Sequence, residues 1–258
     1  MSTALITGAS SGIGKAFAQE LAARKVNLVL VARSEDKLNQ LAKELKEQYK
    51  IQVDIIVKDL TEPNAATAIF DITKAKGLTI DLLINNAGFG SYGDFAESEG
   101  ERQVKIVQLN ILALVDLTHK FLPLMRQRSS GSIINVSSIT GFQPIPYVSV
   151  YAASKAFIIS FSEALWAENH QHGVRILVTC PGPIETNFFT EANFPPALAG
   201  STEKVYSSEE VVRASLKALD EGQPTVIIGD TTTQIRSILA RLVPRKILLN
   251  ILAKRFQL

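Results

Sequence analysis

The sequence has one cysteine, one tryptophan and three histidines in 258 residues. Cys180 has no second cysteine with which to form a disulfide, as is typical of proteins from reducing compartments. No run of about 20 uninterrupted apolar residues occurs, which argues against a membrane-spanning helix. The first residues also lack the basic and apolar regions of a signal peptide. These absences predict a soluble, cytoplasmic protein.

Strong net charge is also missing, because the formal charge is only +2. This value gives no reason to expect a nucleic-acid partner. Candidate metal ligands are few as well. His170 and His172 have a spacing that suits metal ligands, but no third ligand is evident. We therefore expect a solvated helix end at these histidines and no metal site.

Acidic residues are absent from the last part of the chain, after Asp230. Apolar residues recur there at helical spacing, and Pro244 should divide the segment into two pieces. Such a basic amphipathic end can pack on a lid over the substrate or on a second subunit, or it can lie on an anionic membrane surface. We predict it as an extension, residues 231–258, of a domain formed by residues 1–230. Its basic residues are Arg236, Arg241, Arg245, Lys246, Lys254 and Arg255.

Short apolar runs alternate with helical patterns along the whole chain, and no linker or repeat divides it. This alternation predicts an α/β fold: a single-domain, Rossmann-type, doubly wound parallel sheet of about seven strands with helices on both faces. Ligands bind such sheets at the carboxyl ends of the strands. The predicted strands are Thr3–Thr7, Asn27–Ala32, Ile51–Val57, Asp81–Asn85, Ser132–Ser137, Val174–Cys180 and Thr225–Gly229.

A glycine-rich turn, from Gly8 to Gly14, joins the first predicted strand to a helix. Free backbone N–H groups and the helix dipole at such a turn attract a phosphate. The spacing is G-x-x-x-G-x-G and differs from the common dinucleotide pattern G-x-G-x-x-G. An ordinary strand-to-helix turn is the alternative.

The second predicted strand ends in Ala32-Arg33. An acidic residue at this point favours NAD(H), whereas an arginine accommodates the 2′-phosphate of NADP(H). The sequence therefore favours NADP(H) over NAD(H), with a solvated surface arginine as the alternative. Ser10 and Ser11 could reach a ribose or phosphate. Asp59, after the third strand, could bind an adenine amino group or cap a turn.

Tyr151 and Lys155 are four residues apart on one predicted helix, which places them on one face. A free tyrosine has a pKa of about 10, and a nearby ammonium should lower it. The pair is therefore predicted to donate and accept protons, with Ser138 holding a reacting oxygen. Asn110 lies inside a predicted helix over residues 98–126, where asparagine either interrupts the helix or is solvated.

Residues 187–206 are irregular and rich in phenylalanine and proline, which predicts a lid over an apolar site. The aromatic residues of this lid and of the segment after Ser138 suggest an apolar ketone, aldehyde or lipid-like substrate. The predicted pocket residues are Phe142, Tyr147, Phe188 and Phe189, with Pro144, Ile145, Pro146 and Phe194 nearby.

Taken in order, these motifs resemble the short-chain dehydrogenase/reductase family over residues 7–229. The glycine turn resembles the family's cofactor turn, and residues 85–88, Asn-Asn-Ala-Gly, resemble its sheet-stabilising motif. Pro181-Gly182 with Thr186 resembles its nicotinamide-side motif. The residues that resemble the catalytic tetrad are Asn110, Ser138, Tyr151 and Lys155.

The resemblance implies hydride transfer between NADP(H) and a carbonyl or carbinol carbon. Tyr151 would give or take the proton, Ser138 would bind the substrate oxygen, and Lys155 would bind the nicotinamide ribose. Asn110 would support Lys155 through a water, and the backbone near Ile184 would hold the carboxamide. The predicted cofactor-binding residues are Gly8, Ser10, Ser11, Gly12, Ile13, Gly14, Arg33, Asp59, Leu60, Asn86, Ala87, Gly88, Tyr151, Lys155, Pro181, Gly182, Ile184 and Thr186.

The resemblance also implies subunit pairing through the helices that carry Asn110 and Tyr151, so a homodimer or tetramer is expected. Phe157, Phe161 and Trp166 lie on the second of these helices and should contact the core or a subunit. Overall, the sequence predicts a carbonyl reductase that acts on a small molecule. A catalytically idle NADP(H)-binding sensor on the same fold is the alternative, which the complete tetrad disfavours.

Overall fold

The computed structural model describes residues 2–185, 188–195, 205–240 and 242–256. Within these ranges seven parallel strands form one sheet in the order β3-β2-β1-β4-β5-β6-β7. The predicted doubly wound α/β class is therefore confirmed. The strands are β1 Thr3–Thr7, β2 Asn27–Ala32, β3 Val53–Val57, β4 Leu82–Asn85, β5 Gly131–Val136, β6 Val174–Pro181 and β7 Thr225–Ile228.

Helices connect and cover these strands. A π-helical stretch, Gln108–Ala113, interrupts the long helix predicted over residues 98–126, and short 3₁₀ turns occur at Ile139–Phe142 and His170–His172. The α-helices are α1 Gly12–Ala23, α2 Glu35–Tyr49, α3 Ala65–Ala75, α4 Gly100–Val107, α5 Leu114–Gln127, α6 Ser149–Asn169, α7 Phe188–Glu191, α8 Ser208–Asp220, α9 Thr231–Leu239 and α10 Arg245–Phe256.

The sheet is buried on both faces, which explains why its strands are continuous apolar runs. Neighbouring residues of β1 point to opposite sides: Ile6 packs with Phe17 of α1 on one face, and Leu5 packs with Leu117 of α5 on the other. All four side chains are almost inaccessible to solvent. Burying each side chain of this size contributes about 1.5–3 kcal/mol to stability, and both layers hold the strand ends in place.

The strand order reverses between β1 and β4, and this is where an open α/β sheet forms its ligand crevice. The ends of the two strands are tied together by Thr7, whose Oγ1 accepts hydrogen bonds from the backbone of Asn86 (3.0 Å) and Ala87 (3.1 Å). The side chain of Asn86 in turn donates to the Thr7 carbonyl at 2.9 Å. Asn85 ties β4 to β5 by donating to Asn135 at 2.9 Å. The asparagines therefore fasten strand ends, as predicted.

The C-terminal segment forms two helices, α9 and α10, on either side of Pro244, as predicted. Leu248 and Leu252 on the inner face of α10 pack with Ala240 at the end of the preceding segment. In the described part of the chain, no helix combines the length and apolar character needed to cross a bilayer.

Candidate active site

A cleft of about 1230 Å³ lies at the carboxyl ends of the strands. It runs from the glycine turn, past β4 and β5, to α7 and the end of α10. This volume exceeds the roughly 300–1,000 Å³ of a typical small-molecule pocket. The cleft can therefore hold an extended cofactor together with a second molecule.

At one end of the cleft, the backbone of the glycine turn leaves no space for a side chain at Gly14. A Cβ atom there would lie 2.3 Å from the Gly8 carbonyl oxygen and 2.6 Å from Asn86 Nδ2. Gly14 does not itself line the cleft, so its part in cofactor binding is to let the turn close. The residues that do line this end are Gly8, Ser10, Ser11, Gly12 and Ile13. Together with the start of α1, they form a cradle that fits a phosphate group.

Arg33 lies at the end of β2 with a side chain that is 76% exposed at the cleft wall. Its guanidinium is 3.8 Å from a carboxylate oxygen of Asp59. Asp59 accepts hydrogen bonds from the backbone (2.9 Å) and hydroxyl (2.8 Å) of Thr61, so it caps a turn, one of its two predicted roles. Burial raises the pKa of Asp59, but the Thr61 hydrogen bonds and the Arg33 charge together hold it below the ordinary value. Leu60 completes this wall.

Tyr151 and Lys155 are buried on α6 and face the cleft. Lys155 Nζ donates to the Val136 carbonyl at 2.9 Å and lies 5.6 Å from the centre of the Tyr151 ring. Ser138 follows β5, is hydrogen-bonded to Tyr151, and accepts a hydrogen bond from the backbone of Thr140 at 3.2 Å. The fold thus brings the three predicted catalytic side chains together at one place.

Burial sets the charge state of this group. It raises the pKa of Tyr151, although the hydrogen bond with Ser138 acts in the opposite direction. Burial also lowers the pKa of Lys155 to about 8. The pKa of Tyr151 is therefore raised, and not lowered as predicted, because desolvation of the buried phenol is the largest effect on it. At neutral pH Tyr151 keeps its proton and Lys155 remains mostly charged.

Asn110 interrupts its helix, and the alternative of a solvated side chain is wrong because it is 1% exposed. Its Oδ1 accepts from the Phe89 backbone N–H, and its Nδ2 donates to the Phe89 carbonyl, both at 3.1 Å. Nδ2 also donates to Ser154 Oγ at 3.0 Å. A Cβ atom on Gly88 would lie 3.0 Å from Asn110 Oδ1 and 3.5 Å from Lys155 Nζ. Asn110 therefore fixes the loop after β4 against α6, beside Lys155, without lining the cleft itself.

The predicted nicotinamide-side segment borders the same cleft. Pro181, Gly182 and Ile184 line it, as do Ala87 and Gly88 after β4. Gly182 is held in place because its backbone N–H donates to the Ile228 carbonyl at 2.8 Å. Thr186, residue 187 and residues 196–204 lie outside the described residues, so the predicted lid over residues 187–206 is seen only in part.

The described part of the lid contributes apolar side chains to the cleft. Phe188 and Phe189 of α7 line it, together with Phe194, as predicted. The ring of Phe188 is centred 5.1 Å from the ring of Tyr151, and the rings of Phe189 and Phe194 meet edge to face at 5.3 Å. The proton-bearing tyrosine therefore borders an apolar chamber.

Two predicted pocket residues, Phe142 and Tyr147, are not among the described residues that line the cleft, and their assignment needs correction. Phe142 ends the 3₁₀ turn after Ser138 and packs into the core with Leu114 and Ile158. Tyr147 adopts a left-handed backbone conformation (φ 64°), and its ring is directed toward Tyr92, 6.1 Å away. Ile145 and Val148 of the same segment line the cleft instead.

A comparison against protein families supports this interpretation of the site, with its cradle, its Tyr151–Lys155 pair and its apolar chamber. A family model described as short chain dehydrogenase matches residues 2–195. The chain belongs to the short-chain dehydrogenase family. Its relatives include proteins named as reductases and dehydrogenases.

Two curated relatives of this short-chain dehydrogenase illustrate the similarity. It is 38% identical to a very-long-chain 3-oxoacyl-CoA reductase from Anas platyrhynchos over 189 residues, which cover 71% of this chain and 60% of the duck protein. It is 33% identical to 17-beta-hydroxysteroid dehydrogenase type 3 from Rattus norvegicus over 258 residues, which cover 99% of this chain and 80% of the rat protein. The match thus spans less than two thirds of the duck reductase.

Solved structures of other proteins superpose closely on this short-chain dehydrogenase. A short-chain dehydrogenase from Sphingobium yanoikuyae in complex with NADPH has a TM-score of 0.82 and 32% identity, covering 88% of this chain and 87% of its own. A structure reported for 7beta-hydroxysteroid dehydrogenase has a TM-score of 0.87 and 27% identity, covering 98% and 96%.

The site of this short-chain dehydrogenase also contains residues that the sequence did not indicate. Arg102 donates to the Gly90 carbonyl at 3.1 Å and to the Glu191 carbonyl at 2.8 Å, which links the loop after β4 to α7. Phe256 lines the far end of the cleft, and its carbonyl accepts a hydrogen bond from the Tyr92 hydroxyl at 2.6 Å. The paired residues are far apart in sequence, so no local pattern signals these contacts.

The other noticed side chains lie away from the cleft. Trp166 donates to the Gly222 carbonyl at 3.0 Å and stacks on His170. Phe157 is 40% exposed and stacks on Phe161, which suits a subunit contact. His172 contacts Arg126. Among the described residues, no group of three histidine, cysteine or acidic side chains is arranged to hold a metal ion.

Proposed function

We propose that this chain is an NADP(H)-dependent oxidoreductase that interconverts a carbonyl group and a secondary alcohol in an apolar substrate. The observation that carries the proposal is the position of Tyr151 and Lys155, buried side by side between the phosphate-type cradle and the phenylalanine-lined chamber. A proton donor at this junction lies where a cofactor and a substrate held in the two halves of the cleft would meet.

The cleft fits a nicotinamide dinucleotide, whose bound form supplies or accepts a hydride. The cradle from Gly8 to Ile13 would bind the pyrophosphate, and Arg33 would bind the 2′-phosphate. Lys155 would hold the nicotinamide ribose, and the backbone at Ile184 with Thr186 would hold the carboxamide. The complex of the similar Sphingobium yanoikuyae enzyme with NADPH supports NADP(H) as the cofactor.

Tyr151 would donate its proton to the substrate oxygen during reduction, and Ser138 would hold that oxygen by a hydrogen bond. The Lys155 ammonium would stabilise the phenolate that remains after donation. Asn110, fixed between Phe89 and α6, would position Lys155 and the water that replenishes the proton. Because Tyr151 keeps its proton at neutral pH, the resting site is prepared for reduction.

The relatives' names and the apolar chamber suggest a long or bulky ketone, either a 3-oxoacyl thioester or a ketosteroid. A panel of both classes, graded in length and assayed with NADPH, tests this proposal. We expect turnover with long substrates of at least one class. A protein that binds NADPH but turns over neither class would instead be the idle sensor.

Replacing Arg33 with alanine should weaken NADPH binding by about tenfold and leave NADH binding nearly unchanged, because only NADPH carries the phosphate that the arginine would bind. Titration of each nucleotide by fluorescence measures the effect. Lys37→Ala removes an exposed cation four residues away, outside the cleft, and serves as the matched control. Tighter binding of NADH than of NADPH to the unaltered protein would contradict the assignment.

Truncating Phe256 to alanine should shift kcat/KM toward longer substrates by at least about fivefold, because its ring closes the far end of the cleft. Tyr92→Phe removes the hydroxyl that holds the Phe256 carbonyl and should act in the same direction, but less. Steady-state kinetics with the graded panel measures both. Leu249→Ala, on an exposed part of α10, is the control. An unchanged length profile would show that α10 does not limit the substrate.

We also propose a homodimer in the cytoplasm, formed through the helices that carry Asn110 and Tyr151. The support is exposed apolar surface on these helices: Val104 is 57% exposed, Leu112 58% and Phe157 40%. Sedimentation equilibrium should give twice the chain mass, and Phe157→Ser should shift the protein toward monomer. A monomer at all micromolar concentrations would contradict this pairing.

A further inference from the structure

Large apolar side chains are exposed among the described residues of α9 and the turn after it. Ile235 is 52% exposed, Leu239 49% and Leu242, just beyond the helix, 76%. Their spacing of four and then three residues places them on one side of a helical path. They therefore form an exposed apolar stripe at the surface of the protein.

The buried residues that the structure describes in α9 and directly after it are smaller. Thr233, Ser237 and Ala240 are 5%, 7% and 4% exposed. A surface helix of a globular protein ordinarily shows the opposite arrangement, with large apolar residues inside and polar residues outside. Packing among the described residues therefore does not account for the exposed stripe.

The helix α10 repeats this feature. Its inner stripe, Leu248 and Leu252, is buried, while Ile247 and Ile251 remain 54% and 58% exposed. The two helices are joined through the small apolar cluster of Ala240, Leu248 and Leu252. The segment therefore buries one apolar set within itself and presents a second one to the outside.

The charge of the segment indicates what covers the second set. Residues 231–258 contain six basic and no acidic residues, and Arg245, Lys246, Lys254 and Arg255 are exposed on α10. Exposed apolar side chains among basic ones are typical of helices that lie in the interface of an anionic bilayer. A second copy of the chain would bring like charges together at this surface, which opposes pairing there.

We propose that α9 and α10 dock on an anionic membrane surface through the exposed residues Ile235, Leu239, Leu242, Ile247 and Ile251, defined here as the docking surface. Arg255 and Phe256, at the end of α10, line the cleft. Docking therefore brings the apolar end of the cleft close to the lipid. On the function proposed above, this arrangement lets a membrane-dissolved ketone enter the cleft without crossing water.

The test is co-sedimentation of the full chain with vesicles of phosphatidylcholine alone or of phosphatidylcholine and phosphatidylserine in equal parts. We expect binding to the anionic vesicles only, weakened by high salt. The triple variant Ile235→Ser, Leu239→Ser, Leu242→Ser should bind at least about tenfold more weakly. All three positions are exposed, so circular dichroism should show an unchanged fold.

A matched control removes three exposed apolar side chains elsewhere, in the variant Val57→Ser, Ile72→Ser, Phe95→Ser, and should bind anionic vesicles like the unaltered protein. Equal partitioning of the unaltered protein with both vesicle types, or equal binding by the two triple variants, would overturn the proposal. If the unaltered protein self-associated and only the docking-surface variant lost this association, a second copy of the chain would cover this face. That result would also overturn the proposal. Reduction of a short, water-soluble ketone reports separately on the proposed function, because both triple variants should retain it.

Discussion

Replacing Tyr151 with phenylalanine should lower kcat for carbonyl reduction by about 10²–10⁴-fold, the usual contribution of a positioned proton donor. The phenyl ring keeps the shape that packs beside Phe188 and removes only the hydroxyl. NADPH binding should therefore change little. Stopped-flow absorbance of the nicotinamide gives the rate, and fluorescence titration gives the binding constant.

The matched control is Tyr147→Phe, which removes a phenolic hydroxyl from the same part of the chain but not from the cleft lining. It should retain nearly full activity. If Tyr151→Phe and Tyr147→Phe reduced the ketone equally fast, Tyr151 would not be the proton donor. A parallel loss of NADPH binding in Tyr151→Phe would instead indicate a damaged cofactor site.

The pH dependence of the unaltered protein follows from the same pair. Below pH 8 Lys155 is charged and Tyr151 carries its proton, so kcat for reduction should be nearly constant in that range. As the pH rises through about 8, Lys155 loses its proton and no longer stabilises the phenolate, so kcat should fall. A rate that instead rises through this range would contradict the assigned roles.

Replacing Gly14 with alanine should abolish NADPH binding and reduce the free energy of unfolding by roughly 1–3 kcal/mol or more, as overpacking of a tight site does. The new Cβ would meet the Gly8 carbonyl oxygen at 2.3 Å, and because this oxygen belongs to the backbone, the cofactor turn itself must move. Denaturant unfolding and nucleotide titration measure the two effects.

Gly100→Ala provides the comparison for this substitution. Gly100 also lies in the first turn of a helix, but a Cβ there meets no atom of the described residues within 4 Å. We expect this variant to bind NADPH normally and to be as stable or slightly more stable, because alanine favours the helix by up to about 1 kcal/mol. Normal NADPH binding by Gly14→Ala would show that the turn is not the pyrophosphate site.

The sequence predicted the parts of the site that have a local signal. The strands appear as apolar runs because both faces of the sheet are buried, and the glycine turn appears because backbone closure at Gly14 excludes a Cβ atom. Tyr151 and Lys155 are one helical turn apart, so their common face follows from spacing alone. Asn110 could be recognised because asparagine inside a helix competes for backbone hydrogen bonds.

The features that the sequence predicted wrongly or did not indicate depend on tertiary structure. An aromatic residue such as Phe142, close in sequence to Ser138, was predicted to form a pocket wall, yet the 3₁₀ turn directs it into the core. The pKa direction of Tyr151 depends on burial, which spacing does not reveal. The links from Arg102 to Glu191 and from Tyr92 to Phe256 join distant segments. The sequence of the C-terminal segment left packing and membrane contact open. The structure shows one apolar set packed within the segment and a second set exposed.

Transfer of label from the cofactor tests the central claim most directly. The protein would be incubated with NADPH carrying deuterium at the transferable position of the nicotinamide C4, together with the best apolar ketone from the panel, and the product examined by mass spectrometry. The account predicts an alcohol with one deuterium on the carbinol carbon, formed by the unaltered protein and nearly absent with Tyr151→Phe. An alcohol without deuterium, or no alcohol from any apolar ketone while NADPH binds, would contradict it.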